Sequence, residues 1–257
     1  MHKILVLLLY YERPQMVRGA LRSVVRANEH YQNWILAVHD DGSPTPVLPI
    51  VKEELGPLMT PDRVKVIRCG MTPADKLNHG CFLGLGMNTL IQRTDADIGV
   101  MLCDDDELIP DYLKNLDAFF TQNPGAESCY SHVVQFDPLT ENTNDLLLAP
   151  QLSRVITGKG HPDYAEYNCY TEPINPFCKL DASQVAWRIS VNKQKGVWFK
   201  YPLSRNHDAH FFRELYEKTG PTPYSGCFSQ FKGIHTKQLT RIKDEDAWRQ
   251  GASLVDR

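Results

Sequence analysis

Short apolar runs alternate with helical segments through the first 136 residues, and this alternation most restricts how the chain can fold. The predicted strands are residues 3–9, 34–38, 64–67, 98–102 and 128–136. Helical patterns fall between them at 14–25, 77–91 and 110–120. Continuous apolar strands are typical of parallel sheets covered by helices on both faces. The order therefore predicts an α/β fold with a mostly parallel, doubly wound sheet and right-handed crossovers, flanked by helices.

Length and composition fit one compact domain made of two halves, residues 1–136 and residues 137–257. The 257 residues are 42% hydrophobic with a net charge of -3, which argues against disorder. A chain of this size buries roughly 70–75% of its unfolded surface and needs no disulfide or metal to fold. The second half opens with an irregular stretch at 137–178, which is typical of a functional loop, and ends in a charged tail.

The cysteines indicate a reducing compartment. Seven cysteines are scattered along the chain without a CxxC pair, which favours free thiols and a cytoplasmic location. The apolar run at the N-terminus is too short to span a bilayer and lacks the features of a signal peptide. We therefore expect no transmembrane segment, while peripheral docking on a membrane stays open.

Three consecutive carboxylates, Asp104, Asp105 and Asp106, directly follow the fourth predicted strand. Adjacent carboxylates repel one another, so a folded chain tolerates them best beside a cation, and hard divalent ions prefer oxygen ligands. The alternative is an acidic helix start, with residues 105–107 capping the helix near Pro110. The apolar strand before the triplet favours the metal interpretation.

Asp40 and Asp41 close the second predicted strand, just as the triplet closes the fourth. In doubly wound sheets, ligands bind at the carboxyl ends of the parallel strands. We therefore expect both groups of acids to meet at one cleft.

The order of these motifs resembles the GT-A-fold glycosyltransferases, especially the inverting family 2. The matching segments are Tyr11-Glu12-Arg13-Pro14, Asp40-Asp41-Gly42-Ser43, Lys76-Leu77-Asn78-His79-Gly80, Asp104-Asp105-Asp106, Trp187-Arg188, Gly196-Val197-Trp198, His207-Asp208 and Arg213-Glu214-Leu215. Together they extend from residue 3 to about residue 243, which is nearly the whole chain. The resemblance implies an inverting transfer of a sugar from a nucleotide-diphosphate sugar, with UDP favoured, to an acceptor hydroxyl. Residues 1–136 would bind the donor and residues 137–257 the acceptor.

The same resemblance implies roles for individual residues. Its nucleotide-binding positions fall on Leu9, Tyr10, Tyr11, Glu12, Asp40, Asp41, Lys76, Asp104 and Asp105. Asp106 and His235 would ligate Mn²⁺ or Mg²⁺, and Asp208 would be the general base. Contacts to the diphosphate or the acceptor would come from Trp187, Arg188, His207, Lys237 and Arg241. His207 stands where the family usually has Glu, which leaves the acceptor contacts open.

Two other functions compete with this one. A nucleotidyltransferase on a related sheet would open with a Gly-rich loop after the first strand, and residues 10–14 contain no glycine. A non-catalytic relative that binds a glycan or nucleotide is disfavoured by the retention of Asp41, Asp106, Asp208 and His235 together.

The charge distribution bears on the acceptor. Residues 1–150 carry 12 basic against 20 acidic side chains, whereas residues 151–257 carry 16 against 11. A basic acceptor half would suit an anionic glycan, a lipid-linked sugar or, as a minority alternative, modified DNA.

Three smaller motifs have structural interpretations. Gly84-Leu85-Gly86 lies in a predicted helix and indicates close helix packing rather than a dinucleotide loop. His39 and His132 are predicted to be structural residues on strands, and a metal-hydrolase interpretation of residues 207–210 is disfavoured.

Overall fold

The computed structural model describes residues 1–70, 83–136, 138–139, 141, 143, 155–156, 171–177, 180–201 and 207–233. Its strands are β1 (Ile4–Tyr10), β2 (Trp34–Asp40), β3 (Val64–Arg68), β4 (Ile98–Cys103), β5 (Glu107–Leu108), β6 (Ser128–Phe136), β7 (Val155–Ile156), β8 (Val185–Arg188) and β9 (Tyr224–Gly233). Its α-helices are α1 (Met16–His30), α2 (Val47–Leu55), α3 (Leu83–Gln92), α4 (Tyr112–Gln122), α5 (Ile189–Lys195) and α6 (His207–Thr219). Single 3₁₀ turns cover Gly56–Leu58 and Ala182–Gln184.

One nine-stranded sheet forms the centre of the described chain, in the order β3-β2-β1-β4-β8-β6-β9-β5, with β7 paired to β6. Strands β1 to β4 are mutually parallel where they pair, as the alternating pattern predicts. Strand β8 then runs antiparallel to both β4 and β6, and β9 pairs parallel to β6. The sheet is therefore mixed. The strands β1 to β4 of the first half pair only in parallel with one another, whereas β8 and β9 add antiparallel and parallel pairs.

Both faces of the parallel strands are buried, which explains their continuous apolar sequence. In β1, Ile4, Val6 and Leu8 face the core cluster that includes α1, α2 and α4. Leu5 and Leu7 face the opposite cluster, which includes α3, α5 and α6. Because neighbouring side chains of a strand point to opposite faces, a strand between two helical layers has no position for a polar residue.

The strands of the second half lacked a clear sequence signal. Strand β8 has only four residues, and no strand was predicted over Tyr224–Gly233. Strand β9 carries Ser229, Gln230 and Lys232 in or next to the interior, so it has neither an apolar run nor a regular alternation. The predicted helix at 77–91 is described only from Leu83 onward, and its first residues lie outside the described part.

The glycines of α3 confirm the packing interpretation. A Cβ atom at Gly84 would lie 2.4 Å from the carbonyl oxygen of Lys200, and one at Gly86 would lie 2.3 Å from Nε2 of His39. Both distances are far below van der Waals contact, so a larger residue would push the helix away from its neighbours. Within the described residues, every helix is too short or too polar to cross a bilayer.

Candidate active site at the carboxyl ends of the parallel strands

The register of the parallel strands brings three chain exits together. Tyr10 pairs with Asp40 between β1 and β2, and Leu9 pairs with Cys103 between β1 and β4. The turns that follow these strands therefore leave the sheet side by side at the same edge. This is the arrangement expected from acids that follow parallel strands.

Backbone hydrogen bonds join the three turns. The N–H of Tyr11 donates to Oδ2 of Asp104 at 2.9 Å, and the N–H of Asp41 donates to the carbonyl of Tyr10 at 3.1 Å. The N–H of Glu12 donates to Oγ of Ser43 at 2.8 Å. Glu12 has a φ of 56°, a left-handed conformation that is costly for a residue with a Cβ atom. The first turn is thus held in a strained shape by its two neighbours.

Asp40 and Asp41 differ in what they do at this edge. The side chain of Asp40 is buried and accepts from the N–H of Ser43 at 2.8 Å and of Val47 at 3.0 Å. It therefore shapes the loop that leads into α2. Asp41 is half-buried at the edge, so a contact between its side chain and the nucleotide base stays a prediction.

Arg13 holds the first two carboxylates of the triplet. Its Nη1 atom lies 2.9 Å from Oδ1 of Asp104 and 2.6 Å from Oδ2 of Asp105. The two acidic side chains are only 6% and 5% exposed. Burial is the main reason why the pKa of Asp104 rises to about 7, although Arg13 opposes the rise. Both oxygens of Asp104 already accept bonds, and a contact to ribose remains a prediction.

Lys232 and Gly233 of β9 hold the third carboxylate. The side chain of Asp106 is fully buried, with its Oδ2 atom 3.1 Å from Nζ of Lys232 and its Oδ1 atom 2.9 Å from the N–H of Gly233. The same ammonium lies 3.2 Å from Oδ1 of Asp181. Burial raises the pKa of Asp106, and the carboxylates of Asp105 and Asp181 raise it further against the effect of Lys232. Burial alone would lower the pKa of Lys232, but its two acidic partners raise it well above the ordinary value.

The triplet does not cap a helix. Helix α4 begins at Tyr112, after a short strand, and the carboxylate of Glu107 lies 2.6 Å from Nη2 of Arg26 instead. The helix-start interpretation of residues 105–107 is therefore wrong.

The residues at this turn fit a hard divalent cation. Cys103, Asp105 and Asp106 each offer a ligand atom, and these atoms lie within 4.8 Å of one another. Burial raises the pKa of the Cys103 thiol well above its ordinary value, and hard divalent cations prefer oxygen to sulfur, so the thiol is the less suitable ligand. The carboxylates of Asp105 and Asp106 are the suitable ligands, because a carboxylate oxygen that accepts one hydrogen bond keeps a second lone pair. The buried acids around them also outnumber Arg13 and Lys232, which leaves room for additional positive charge.

Helix α6 begins with His207 and carries Asp208 in its first turn. His207 is buried, and its Nδ1 atom lies 3.1 Å from the carbonyl oxygen of Lys200, which makes Nδ1 the protonated nitrogen. Its Nε2 atom is buried without a hydrogen-bond partner in the described part of the chain. Burial lowers the pKa of His207, against the opposing effects of the Lys200 carbonyl and of Asp208 and Asp41. Both carboxylates are thus close enough to affect the imidazole.

Other predicted residues do not reach this edge or cannot be placed. Trp187 is fully buried in the core, and its Nε1 atom donates to Oδ1 of Asn192 at 2.8 Å. Arg188 pairs with Ile98 at the amino end of β4, and its guanidinium donates to the carbonyls of Ala126 and Phe120. The structure therefore contradicts the prediction that Trp187 and Arg188 contact the diphosphate or the acceptor. Trp187 packs in the core, and Arg188 donates to backbone carbonyls at the opposite end of the sheet. Four predicted residues lie outside the described part: Lys76, His235, Lys237 and Arg241.

Sequence reasoning missed the basic residues that hold the acids. Arg13 stood inside a recognised motif, and its charge beside an acid-rich turn was an available signal. Lys232 and Asp181 are isolated in sequence, and only the pairing of β9 with β5 and β6 brings Lys232 to Asp106. No local pattern marks Lys232, and the Asp-x-x-Gln capping box at Asp181 indicates a helical turn rather than a site residue.

The Asp-Asp-Gly-Ser turn and the buried Asp triplet, which carry the resemblance to the GT-A-fold glycosyltransferases, lie at one parallel sheet edge, and structures of this class share the fold. The sequence model described as Glycosyl transferase family 2 matches residues 5–178, which is more than half of the chain. The chain therefore belongs to glycosyltransferase family 2.

Solved structures share the fold at low sequence identity. Residues 1–349 of TarS from S. aureus, in complex with UDP-GlcNAc, align with a TM-score of 0.68 and 14% identity over 96% of this chain and 64% of that one. The same TarS fragment with UDP gives 0.65 and 14% over 91% and 61%. The mannosyltransferase PcManGT from Pyrobaculum calidifontis, in complex with GDP-Man and Mn²⁺, gives 0.57 and 12% over 96% and 60%. The chain thus spans less than two thirds of the length of these structures. No curated protein sequence matches it.

Proposed function

We propose that this protein is a metal-dependent, inverting glycosyltransferase that uses a nucleotide-diphosphate sugar, with UDP as the favoured nucleotide. The observation that carries the proposal is the edge where the exits of β1, β2 and β4 meet and hold the buried acidic triplet. We assign the start of α6 to the same edge, because Asp41 and Asp208 both act to raise the pKa of His207. A donor bound at the strand ends would then lie beside a carboxylate able to accept a proton. The structures with UDP-GlcNAc and with GDP-Man and Mn²⁺ support a donor of this class.

Asp105 and Asp106 would hold the divalent cation, with His235 as a further ligand predicted from the sequence. When bound, such a cation neutralises the negative charge that develops on the leaving nucleoside diphosphate. The strained turn at Glu12 and the hydrogen bonds of buried Asp40 hold this edge in one conformation. We therefore expect a preorganised site, which accelerates the reaction by positioning the substrates rather than by a conformational change at this edge.

Asp208 is proposed as the general base. Its carboxylate takes the proton of the acceptor hydroxyl while that oxygen bonds to the anomeric carbon from the side opposite the diphosphate. The bond between the anomeric carbon and the diphosphate breaks, and the configuration inverts. His207, which stands where the family usually has Glu, is proposed to lie beside the acceptor on the strength of the resemblance.

Replacing Asp208 tests this assignment. We expect Asp208→Asn to lower the rate of transfer at least about 10²–10⁴-fold, the range for loss of a general base. Binding of the donor should stay nearly unchanged, because the substitution removes a charge and not the side chain. Glu214→Gln is the matched control, since Glu214 lies two turns further along α6 and its Oε1 atom pairs with Lys200 Nζ at 3.2 Å. Full activity of the Asp208 variant would show that another residue is the base.

The donor class can be read from thermal stability. UDP, GDP, CDP and dTDP are each added with Mn²⁺ or with a chelator, and the melting temperature is recorded. A nucleotide at about 100 times its dissociation constant adds roughly 2.7 kcal/mol of stability. A shift with one nucleotide that is lost with chelator would support both donor and metal. No shift with any nucleotide would favour a non-catalytic relative.

The acceptor and the compartment are proposed from charge and thiol chemistry. Residues 151–243 carry 14 basic against 7 acidic side chains, which favours an anionic glycan or a lipid-linked sugar. Activity on modified DNA, the minority alternative, would fall steeply with added salt. The cysteines at 69, 103, 129 and 227 are free, which is consistent with the proposed cytoplasmic location.

A further inference from the structure

The side chain of Lys232 lies between two carboxylates, and it is only 17% exposed. Its ammonium contacts Asp106 and Asp181 at 3.1 and 3.2 Å. We propose that the ammonium of Lys232 competes with the divalent metal ion for the carboxylate of Asp106. Asp181 limits this competition, because its carboxylate also pairs with the ammonium. The inference rests on the proposed function and adds a residue that sets the affinity for the metal.

Asp106 can bind the metal ion and the Lys232 ammonium at the same time only if its one negative charge compensates part of the charge of each. One of its oxygens faces the ammonium, and the other accepts the N–H of Gly233 at 2.9 Å. Each oxygen keeps a second lone pair, so a metal ion can still bind. The ammonium and the metal would then lie within a few ångströms of each other in a buried site, where like charges repel strongly. Lys232 therefore weakens the binding of the metal while it keeps Asp106 compensated in the metal-free protein.

Asp181 is fixed in position as a second partner of the ammonium. Its Oδ1 atom accepts from the N–H of Ser183 at 3.0 Å and from the Ser183 hydroxyl at 2.7 Å. The side chain of Gln184 in turn accepts from the N–H of Asp181 at 3.0 Å, which completes a capping box. A carboxylate held this firmly draws the ammonium away from Asp106, and its removal should strengthen the contact between Lys232 and Asp106.

Two substitutions should therefore change the affinity for Mn²⁺ in opposite directions. Lys232→Met keeps the length of the side chain and removes its charge, and we expect Mn²⁺ to bind at least about tenfold more tightly. Asp181→Asn keeps an oxygen for the capping contacts and removes the charge. For this variant we expect Mn²⁺ to bind several-fold more weakly. Lys195→Met is the control, because Lys195 pairs with Glu127 at 2.6 Å and belongs to α5 instead of the site.

The experiment titrates the full chain and each variant with Mn²⁺, with and without UDP, by calorimetry and by the paramagnetic resonance signal of free Mn²⁺. Opposite changes in the two site variants would support the inference. Unchanged affinity in both, or weaker binding by Lys232→Met, would overturn it. If Lys232→Met does not fold without metal, Asp181→Asn decides alone, and unchanged or tighter binding overturns the inference. Failure of the natural chain and both variants to bind Mn²⁺, even with UDP, would instead contradict the metal dependence in the proposed function.

Discussion

Two basic side chains hold the acidic turn after β4, and they come from opposite ends of the described chain. Arg13 belongs to the turn after β1 and bridges Asp104 and Asp105, while Lys232 belongs to β9 and contacts Asp106. Their exposed fractions are similar, at 21% and 17%. The two contacts nevertheless differ in the chemistry of the cation and in the part of the sheet that carries it.

This difference assigns them different tasks. Arginine has a planar, permanently charged fork, and Arg13 joins two turns of the parallel sheet, whose register is fixed by buried strands. Lysine carries a compact charge on a flexible stem, and Lys232 reaches the turn from the mixed part of the sheet. We infer that Arg13 mainly stabilises the fold at the site, whereas Lys232 adjusts the charge that a ligand meets.

Removing Arg13 should give the largest loss of stability. In Arg13→Met, two nearly buried carboxylates lose their shared cation, and breaking such a pair costs about 3–5 kcal/mol. The free energy of unfolding is measured by denaturant titration. Arg26→Met is the matched control, because Arg26 pairs with one carboxylate, that of Glu107, and otherwise donates to the Thr143 hydroxyl at 3.3 Å. Glu107 keeps a hydrogen bond of 2.7 Å from that hydroxyl when Arg26 is removed. We expect a clearly smaller loss in that control. Equal losses in the two variants would contradict the structural role assigned to Arg13.

The parallel strands of the first half were predictable because their apolar sequence follows from burial alone and not from which strands they pair with. Buried strands between two helical layers must be continuously apolar, so strands were predicted at 3–9 and 98–102 without any knowledge of their partners. The observed strands are Ile4–Tyr10 and Ile98–Cys103. The turns that follow parallel strands lie at the carboxyl edge of the sheet, so Asp41 and the acidic triplet could be placed at that edge from the sequence.

The contacts of the second half were not predictable because they depend on pairing between distant segments. Lys232 is 126 residues from Asp106, and a lone lysine on a strand is ordinarily exposed. The resemblance also placed Arg188 beside a ligand, whereas β8 runs antiparallel to β4 and carries Arg188 to the opposite end of the sheet. A motif fixes the identity of residues, but strand direction decides which edge they reach.

Gly233 provides the steric test of the contact made by β9. A Cβ atom at this position would lie 2.0 Å from the backbone oxygen of Asp105. In Gly233→Ala the strand must move away from the acidic turn, at a cost of about 1–3 kcal/mol. The hydrogen bond from Gly233 to Asp106 should weaken with it, so stabilisation by UDP with Mn²⁺ should also fall.

Denaturant titration and thermal shifts measure both effects. Gly125→Ala is the control, because a Cβ atom there meets nothing within 4 Å and the residue is not at a positive φ. The control should match the natural chain within about 0.5 kcal/mol. If Gly233→Ala is as stable as the control, β9 does not approach the turn as closely as the structure indicates.

The smallest loss of stability is expected from the ion pair between Arg22 and Glu54, which lies outside the site and has distances similar to those of the Arg13 pairs. Nε and Nη2 of Arg22 lie 2.8 and 3.1 Å from the two carboxylate oxygens of Glu54, but the arginine side chain is 61% exposed. Glu54 is itself only 9% exposed and also pairs with Nη1 of Arg18 at 2.5 Å, so the substitution affects two ion pairs. Glu54→Gln should still lower the melting temperature by only about 1–3 °C, since the amide keeps an oxygen for Arg18 and water screens the exposed Arg22. Glu53→Gln is the control, because Glu53 is 64% exposed and pairs with Arg18.

The effect of Glu54 should also depend on pH. Although burial opposes it, Arg22 and Arg18 lower the pKa of Glu54 below its ordinary value of 4.5. A carboxylate with a lowered pKa stabilises the fold above its unfolded pKa and loses this effect as the pH falls through its folded pKa. The difference between the natural chain and Glu54→Gln should therefore be present at pH 7 and disappear below pH 4.5. A loss as large as that of Arg13→Met would show that burial does not distinguish the site cations from surface ones.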